Sequence, residues 1–219
     1  MGLEETSPVQ LFPALSETGL VEHGFILRIP GLDVHTDRQS ALQRLEHYHH
    51  EQLAKIGPRS LRFAEQVHGN GVATIDGGSA AKTKEVDGLV TMDPKVVLGI
   101  YVADCCAIFL VDPIRRAIGL VHSGKKGTEQ NIIRVAVQKM RTHFQSEPKD
   151  LIAVLSPCIR PPYYEVDFAQ SIIAQLRAES VNEIHDNREN TGADLTRFYS
   201  YRMEKGKTGR MLAYLALRR

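Results

Sequence analysis

Cysteine is scarce in this sequence of 219 residues, with three copies at positions 105, 106 and 158. An odd number of cysteines at wide spacing argues against a disulfide framework and favours a reducing compartment, where thiols stay available as ligands or nucleophiles. We therefore expect a cytoplasmic protein that is stabilised by its hydrophobic core.

Neither sign of charge is in clear excess, because 27 lysines and arginines face 26 aspartates and glutamates. This balance provides no long-range field that would recruit nucleic acid or a membrane surface. All apolar runs are shorter than the roughly 18 residues of a membrane span. Residues 1–10 carry two glutamates and no apolar h-region, so we expect no signal peptide. The expected partner is a small molecule.

The length and the order of the elements favour a single α+β domain over residues 1–219. A chain of this size buries a substantial core without disulfides or structural metal. Strand and helix patterns are interspersed without regular alternation, which favours mixed β-sheets flanked by helices over a doubly wound parallel sheet. We also expect a monomer.

Hydrophobic periodicity predicts the individual elements. Thr36 with Gln39 forms a capping-box pattern before a helix that ends at Gly57, and Asp167 with Gln170 opens a second helix. The sequence further predicts strands at 60–68, 72–75, 96–103, 107–111, 117–121, 151–155, 198–202 and 211–217, and loops at 123–128 and 185–193.

Three residues with metal-ligating side chains, His68, Cys105 and His122, each end or follow an apolar run. If they meet in space, two imidazoles and one thiolate form a three-ligand zinc site whose fourth position stays open for catalysis. Such a centre would activate a water as a nucleophile at neutral pH. Asp104, beside the cysteine, is a candidate acceptor for the spare N–H of a ligand histidine. The alternative is that each histidine is an ordinary surface or core residue.

The segment from Ser123 to Thr128 combines two glycines with Lys125 and Lys126 just before a helical pattern. Backbone N–H groups at a helix start and two ammonium groups favour an anion such as phosphate. The spacing is not that of a Walker loop, since the lysines precede the second glycine. An exposed basic turn is the alternative.

Two further groups of residues receive no chemical role. The His-Tyr-His-His run at 47–50 lies on the first predicted helix, where adjacent residues point to different faces. We interpret it as a solvated face with His49 near the core. Cys106 and Cys158 are expected to be small buried hydrophobes.

An ordered set of segments resembles the YfiH-like, laccase-domain family over nearly the whole chain. The segments are Gln66-Val67-His68-Gly69, Asp87-Gly88-Leu89-Val90-Thr91, Ala103-Asp104-Cys105, Val121-His122-Ser123-Gly124, Ser156-Pro157-Cys158-Ile159, Tyr164-Glu165-Val166, Phe198-Tyr199-Ser200-Tyr201-Arg202 and Thr208-Gly209-Arg210, with His23-Gly24-Phe25 and Arg28 as the N-terminal signature. The resemblance implies a YfiH-like fold of the cysteine-hydrolase type. It also implies that His68, Cys105 and His122 bind zinc, for which copper is a substitute.

The resemblance implies a purine nucleoside phosphorylase acting on adenosine, inosine and methylthioadenosine, with adenosine deaminase activity. Phosphate would attack ribose C1′ and release the base and ribose 1-phosphate, while deamination would use a zinc-activated water at C6 of adenosine. Arg28, Lys125 and Lys126 would hold the anion. The family usually has a Trp-Arg pair where this chain has the two lysines, so stacking and bidentate anion binding are lost while point charges remain.

Other activities remain as alternatives to phosphorolysis. A copper polyphenol oxidase would reduce oxygen by four electrons and needs further copper centres, for which the nine histidines offer no second cluster. A metal-free cysteine hydrolase or deamidase would use Cys105 as nucleophile with His68 or His122 as base. A peptidoglycan-editing hydrolase and a non-catalytic binding module are further readings.

Overall fold

Two six-stranded sheets form the fold in a computed structural model that describes residues 8–219. The strands are β1 (Val9–Gln10), β2 (Val21–Ile26), β3 (Ser60–Ala64), β4 (Val72–Thr74), β5 (Lys82–Thr83), β6 (Gly88–Thr91), β7 (Val96–Val102), β8 (Cys106–Asp112), β9 (Ala117–Ser123), β10 (Ile152–Leu155), β11 (Glu183–Asp186) and β12 (Met211–Leu217). The helices are α1 (Pro13–Glu17), α2 (Arg38–Ala54), α3 (Lys125–Glu129), α4 (Ile132–Phe144) and α5 (Phe168–Ala178), with a 3₁₀ turn at Pro148–Asp150.

Both sheets are mixed, as the sequence predicts for an α+β fold. The first has the order β1-β2-β12-β7-β3-β5, and the second has the order β11-β10-β8-β9-β6-β4. In the first sheet β3 runs parallel to β7, whereas β12 is antiparallel to both of its neighbours. In the second sheet β8 and β9 are antiparallel at the centre, and β10 and β11 are parallel at one edge.

The second sheet is covered on both faces, which explains the near-continuous apolar character of β8. Phe109 points into a core that it shares with residues of the first sheet, such as Leu98 and Leu212. Ile108 and Leu110 belong to a second core, which the buried faces of α4 and α5 complete. Strands buried on both faces read as apolar runs because no position alternates to solvent.

The two predicted helix starts are both observed, one of them with a different cap. Asp167 caps α5 by accepting a hydrogen bond from the Gln170 backbone N–H at 3.0 Å, as predicted. Helix α2 begins at Arg38, and its cap is Asp37 rather than Thr36. The Asp37 carboxylate accepts from the backbone N–H groups of Gln39 and Ser40 at once, which satisfies two of the free donors of the first turn.

Four local predictions are wrong. Residues 185–193 begin inside β11, and residues 198–202 form turns rather than a strand. Residues 125–129 form the short helix α3 instead of a loop. Strand β3 ends at Ala64 rather than continuing to residue 68. For β11, pairing with β10 overrides a polar local pattern that strands and loops share.

Among residues 8–219, no helix combines the length and the apolar character that crossing a bilayer requires.

Candidate metal centre

Three different connections bring His68, Cys105 and His122 together. His68 lies in the loop between β3 and β4, Cys105 lies between β7 and β8, and His122 is the penultimate residue of β9. One ligating atom from each side chain lies within 4.8 Å of the others. The imidazole rings of the two histidines meet edge to face with centroids 4.9 Å apart. The convergence that the sequence predicts is therefore present.

Strand register explains this convergence. Strands β3 and β7 are parallel neighbours, so the loops that follow them leave the first sheet at the same edge. In the second sheet Cys106 pairs with Ser123 and Ala107 pairs with His122, which sets the residue before Cys106 beside the end of β9. The centre thus lies where the chain passes from the first sheet to the second.

Two residues in these segments have a left-handed backbone conformation, which changes the direction of the chain. His68 has φ of 63°, and Asp104, directly before the cysteine, has φ of 84°. Left-handed backbone at a residue other than glycine costs free energy and persists only where its surroundings enforce it. For His68 the enforcing contact is a carboxylate that accepts its backbone N–H.

That carboxylate is Asp87, which is fully buried before β6. It accepts backbone hydrogen bonds from His68 at 2.9 Å and from Gly69 at 2.8 Å. Its Oδ1 also lies 2.8 Å from Nδ1 of His122. Burial alone would raise the pKa of the Asp87 carboxyl, but the hydrogen bonds from His122 and Gly69 outweigh it and hold the pKa below its ordinary value. One ionised carboxylate therefore shapes the His68 loop and orients His122 through Nδ1, so that Nε2, after loss of its proton, is the atom that would bind a metal.

The expectation that Asp104 orients a ligand histidine is wrong. Its carboxylate accepts hydrogen bonds from the Thr191 hydroxyl at 2.8 Å and from the Arg202 backbone N–H at 2.7 Å. Its carbonyl oxygen accepts from the Ile159 backbone N–H. Because its left-handed backbone turns this side chain away from the histidines, Asp104 holds three loops around Cys105 instead.

The thiol and the imidazole favour their charged forms together. Burial opposes ionisation of Cys105, but the neighbouring His122 and His68 outweigh it and lower the pKa of the thiol to about 6. Burial also opposes protonation of His122, but Cys105 and Asp87 raise its pKa to about 9. A thiolate is the form of cysteine that binds metals and attacks electrophiles.

Gly124 makes room for the sulfur. A Cβ at this position would lie 2.5 Å from Sγ of Cys105, far inside contact distance. The glycine is buried at the N-terminus of α3, directly after β9. Any larger residue here would displace the sulfur or the start of the helix.

The donor set suits zinc. Two imidazoles and one thiolate are the ligands of catalytic zinc sites, which keep a fourth position for water or substrate. His68 is exposed and Cys105 half-buried, so the group is accessible from solvent on one side. Within the described range 8–219, it is the only cluster of three or more His, Cys, Asp or Glu side chains with converging ligand atoms. Those residues offer no second ligand cluster for the additional copper centres of a four-electron oxidase.

The cations expected to bind phosphate differ in their availability. Arg28 is already engaged, because its guanidinium pairs with Glu204 at 2.7 Å and stacks 4.4 Å above the ring of Tyr199. Lys125 and Lys126 are exposed in the first turn of α3. Neither lysine makes a side-chain hydrogen bond or ion pair within residues 8–219.

Sequence reasoning assigned no role to Arg210, which lies near the centre. Its guanidinium donates to the carbonyl oxygens of residues 208 and 209 and lies 5.8 Å from the ring centroid of Tyr201. Burial and the neighbouring Arg38 lower its pKa, while the charges of Cys105 and Asp104 act in the opposite direction. The roles of Arg210 and Asp87 were both missed at the sequence level. The family resemblance could have pointed to them, because both residues belong to segments that carry it.

The residues set aside at the sequence level behave as expected. On α2, His47 and His50 are exposed and His49 is buried. Cys106 and Cys158 are fully buried free thiols.

Similarity to known proteins extends over most of the chain. Purine nucleoside phosphorylase YlmD of Bacillus subtilis is 26% identical over an alignment of 227 residues, gaps included. The alignment covers 86% of this chain and 81% of that protein. A purine nucleoside phosphorylase of Deinococcus radiodurans is 34% identical over 194 residues, covering 76% and 74%.

Two solved structures share the fold. YlmD from Geobacillus stearothermophilus superposes with a TM-score of 0.78 at 24% identity, covering 91% of this chain and 92% of that one. The Bacillus licheniformis hypothetical protein YfiH superposes with a TM-score of 0.81 at 22% identity and 98% coverage of both chains. The family model described as multi-copper polyphenol oxidoreductase laccase matches residues 31–171 and 165–218. Since these matches span most of the sequence, the chain belongs to the multi-copper polyphenol oxidoreductase laccase family, whose YfiH-like fold it shares.

Proposed function

We propose that this protein is a zinc-dependent purine nucleoside phosphorylase that also deaminates adenosine. The observation that carries the proposal is the solvent-accessible His68-Cys105-His122 group, with an oriented histidine and an ionised thiol. The relatives named purine nucleoside phosphorylase support the reaction class. Adenosine, inosine and methylthioadenosine are the proposed substrates, and the proposal includes a monomeric, single-domain cytoplasmic protein.

Zinc held by the three side chains would supply a Lewis acid at the open position. Copper would be a substitute metal for the same three ligands. Asp87 orients His122 through Nδ1, so that Nε2 would be the atom that holds the metal, and it keeps the His68 loop in place. The thiolate of Cys105 offsets part of the charge of a divalent ion. The chain thus prepares the geometry before substrate arrives.

The phosphate co-substrate needs cations beside this group. Lys125 and Lys126 follow Gly124, which packs against the Cys105 sulfur, and their side chains are unpaired within residues 8–219. We add Arg210 to the proposed anion contacts, because it is buried within electrostatic reach of Cys105. Arg28 is the least available of the proposed anion contacts, because it already forms an ion pair with Glu204.

The test is incubation of the purified protein with inosine and with adenosine, with and without phosphate. Free base, ribose 1-phosphate and ammonia are followed separately. We expect phosphate-dependent base release, and loss of both activity and bound zinc in His68→Ala and Cys105→Ala. His47→Ala, an exposed histidine on α2, is the matched control and should change neither. Full phosphorolysis in Cys105→Ala, or no product from either nucleoside, would refute the proposal.

A metal-free cysteine hydrolase is the second candidate, because one observation favours it. Cys105, His122 and Asp87 form a thiolate, an imidazole and an orienting carboxylate in series, which is the arrangement of a nucleophile, its base and the group that orients the base. Chelation separates the two candidates. Full activity after complete metal removal, combined with inactivation by iodoacetamide, would favour the hydrolase. The fully buried Cys106 and Cys158 leave Cys105 as the accessible thiol.

A further inference from the structure

A cavity of about 680 Å³ lies outside the metal centre and shares no lining residue with it. Its volume is within the range of sites for small ligands. Its charged lining residues are Arg160, Asp167, Arg177, Asp186 and Arg188. These residues come from α5 and its N-cap and from the carboxyl-terminal ends of β10 and β11, two strands of the second sheet, with the segments that follow them.

Topology places this cavity where α/β units bind ligands. Strands β10 and β11 are parallel neighbours, and helix α5 connects them. Arg160 follows the carboxyl end of β10, Arg188 follows the carboxyl end of β11, and Gln170 lies in the first turn of α5. Crevices at the carboxyl ends of parallel strands are the general location of ligands in such units.

The charges of the cavity favour an anion. Three arginines face two aspartates, which leaves one net positive charge with His185 neutral. Asp186 is already satisfied, because it accepts from Arg160 and from the Arg188 backbone N–H. Asp167 accepts the backbone N–H of Gln170 and partly offsets the positive charge.

Two guanidinium groups are left for a ligand. The side chains of Arg177 and Arg188 are exposed and make no ion pair or hydrogen bond with any described residue of 8–219. Nε of Arg160 is buried and also has no hydrogen-bond partner there. Guanidinium groups bind phosphate through paired N–H donors, and Ile173 and Ile184 add an apolar wall to the same cavity.

We propose that the cavity between α5 and the carboxyl ends of β10 and β11 binds a phosphate monoester, with Arg177 and Arg188 as the phosphate contacts. The ester group would lie against Ile173 and Ile184. This site goes beyond the proposed phosphorolysis and does not depend on it, because none of its residues belongs to the metal centre.

The experiment titrates the full-length protein with inorganic phosphate, ribose 5-phosphate and adenosine monophosphate, and measures heats of binding at two salt concentrations. We expect saturable binding of at least one monoester, weakened at least about tenfold in R177A/R188A. The control R141A/K149A removes two exposed cations elsewhere and should bind like the wild type. Because C105A removes binding at the metal centre, the binding that remains in C105A should be lost in C105A/R177A/R188A.

Each other outcome overturns the proposal. Binding that is lost in C105A but kept in R177A/R188A would assign the ester to the metal centre and leave the proposed function intact. Equal weakening in both double variants would indicate non-specific attraction. If inorganic phosphate binds saturably and neither ester does, the apolar wall does not contribute and the site is not one for a monoester. If no probe binds saturably, the cavity is not a phosphate site.

Discussion

Asp87 shows how one residue connects two parts of the centre. Its carboxylate accepts the backbone of His68 and Gly69 and the ring of His122, and it has no exposed surface. A buried carboxylate is tolerated only when hydrogen bonds replace its lost hydration. Here the replacement comes from the metal-binding segments themselves, so the charge and the site geometry depend on each other.

Replacing Asp87 with Asn should therefore weaken the centre without removing a ligand. The neutral amide no longer holds His122 in one orientation, and such outer partners change metal affinity by about 10–100-fold. Competition with a chromogenic chelator measures the zinc affinity. Asp76→Asn, an exposed turn aspartate, is the control. Unchanged affinity in a folded Asp87→Asn would contradict the role given to this carboxylate.

Gly124 is a second residue whose identity the site requires. In Gly124→Ala the new methyl would lie 2.5 Å from the Cys105 sulfur, and ligand distances tolerate shifts of only about 0.2 Å. We expect zinc affinity to fall about tenfold or more. Gly69→Ala is a matched control at the same site, because its methyl would meet no atom closer than 3.6 Å. If both variants bind zinc equally, the sulfur does not need this space.

At the scale of the element, α2 buries the imidazole of a histidine whose ring nitrogens make no hydrogen bond with the described residues. His49 is 1% exposed, and neither ring nitrogen has a hydrogen-bond partner among the described residues. Its ring packs 5.5 Å from that of Tyr101, and the charge of His50 opposes its protonation. Burial lowers the pKa of His49 to about 4.

This helix should therefore make the fold acid-sensitive. Between pH 6.5 and about 4 the unfolded chain binds a proton at His49 that the folded chain does not, so stability falls as pH falls through this range. The contribution is up to about 3 kcal/mol. Urea unfolding of the wild type and His49→Leu at pH 7 and pH 5 measures it. The difference between the two proteins should shift with pH, whereas the exposed His47→Gln should follow the wild type. Parallel pH dependence in all three would contradict the prediction.

At the scale of the whole molecule, the candidate metal centre lies between the two sheets. His68 follows a strand of the first sheet, His122 belongs to a strand of the second, and Cys105 lies on the connection between the sheets. A metal bound by all three would hold the sheets together at this edge. Ligands that bind only the folded state stabilise it by mass action.

Metal removal should consequently lower the melting temperature. At a zinc concentration about 100 times the dissociation constant the stabilisation is about 2.7 kcal/mol, or roughly 5–10 °C for a chain of this size. Differential scanning calorimetry with zinc and with a chelator measures the shift. Cys105→Ser should show a much smaller difference, whereas Cys158→Ser should retain it. An equal shift in Cys105→Ser would show that zinc acts elsewhere.

The sequence by itself determined the elements whose signals are local. The apolar faces of α2 and α5, the cap of α5 and the buried runs of β7, β8 and β9 depend on neighbours within one turn or one strand, so local patterns predicted them. The three candidate metal ligands, which the structure brings together, were also named from the sequence, through their place at strand ends and the family resemblance.

Only the tertiary structure decided which strands pair and which carboxylate serves the site. Asp87 and His122 are 35 residues apart in the chain, and the register of β6 against β9 brings them together. Adjacent Asp104 looked equally suitable, but its left-handed backbone directs it elsewhere. Contacts between distant residues depend on sheet order, which local side-chain patterns do not encode.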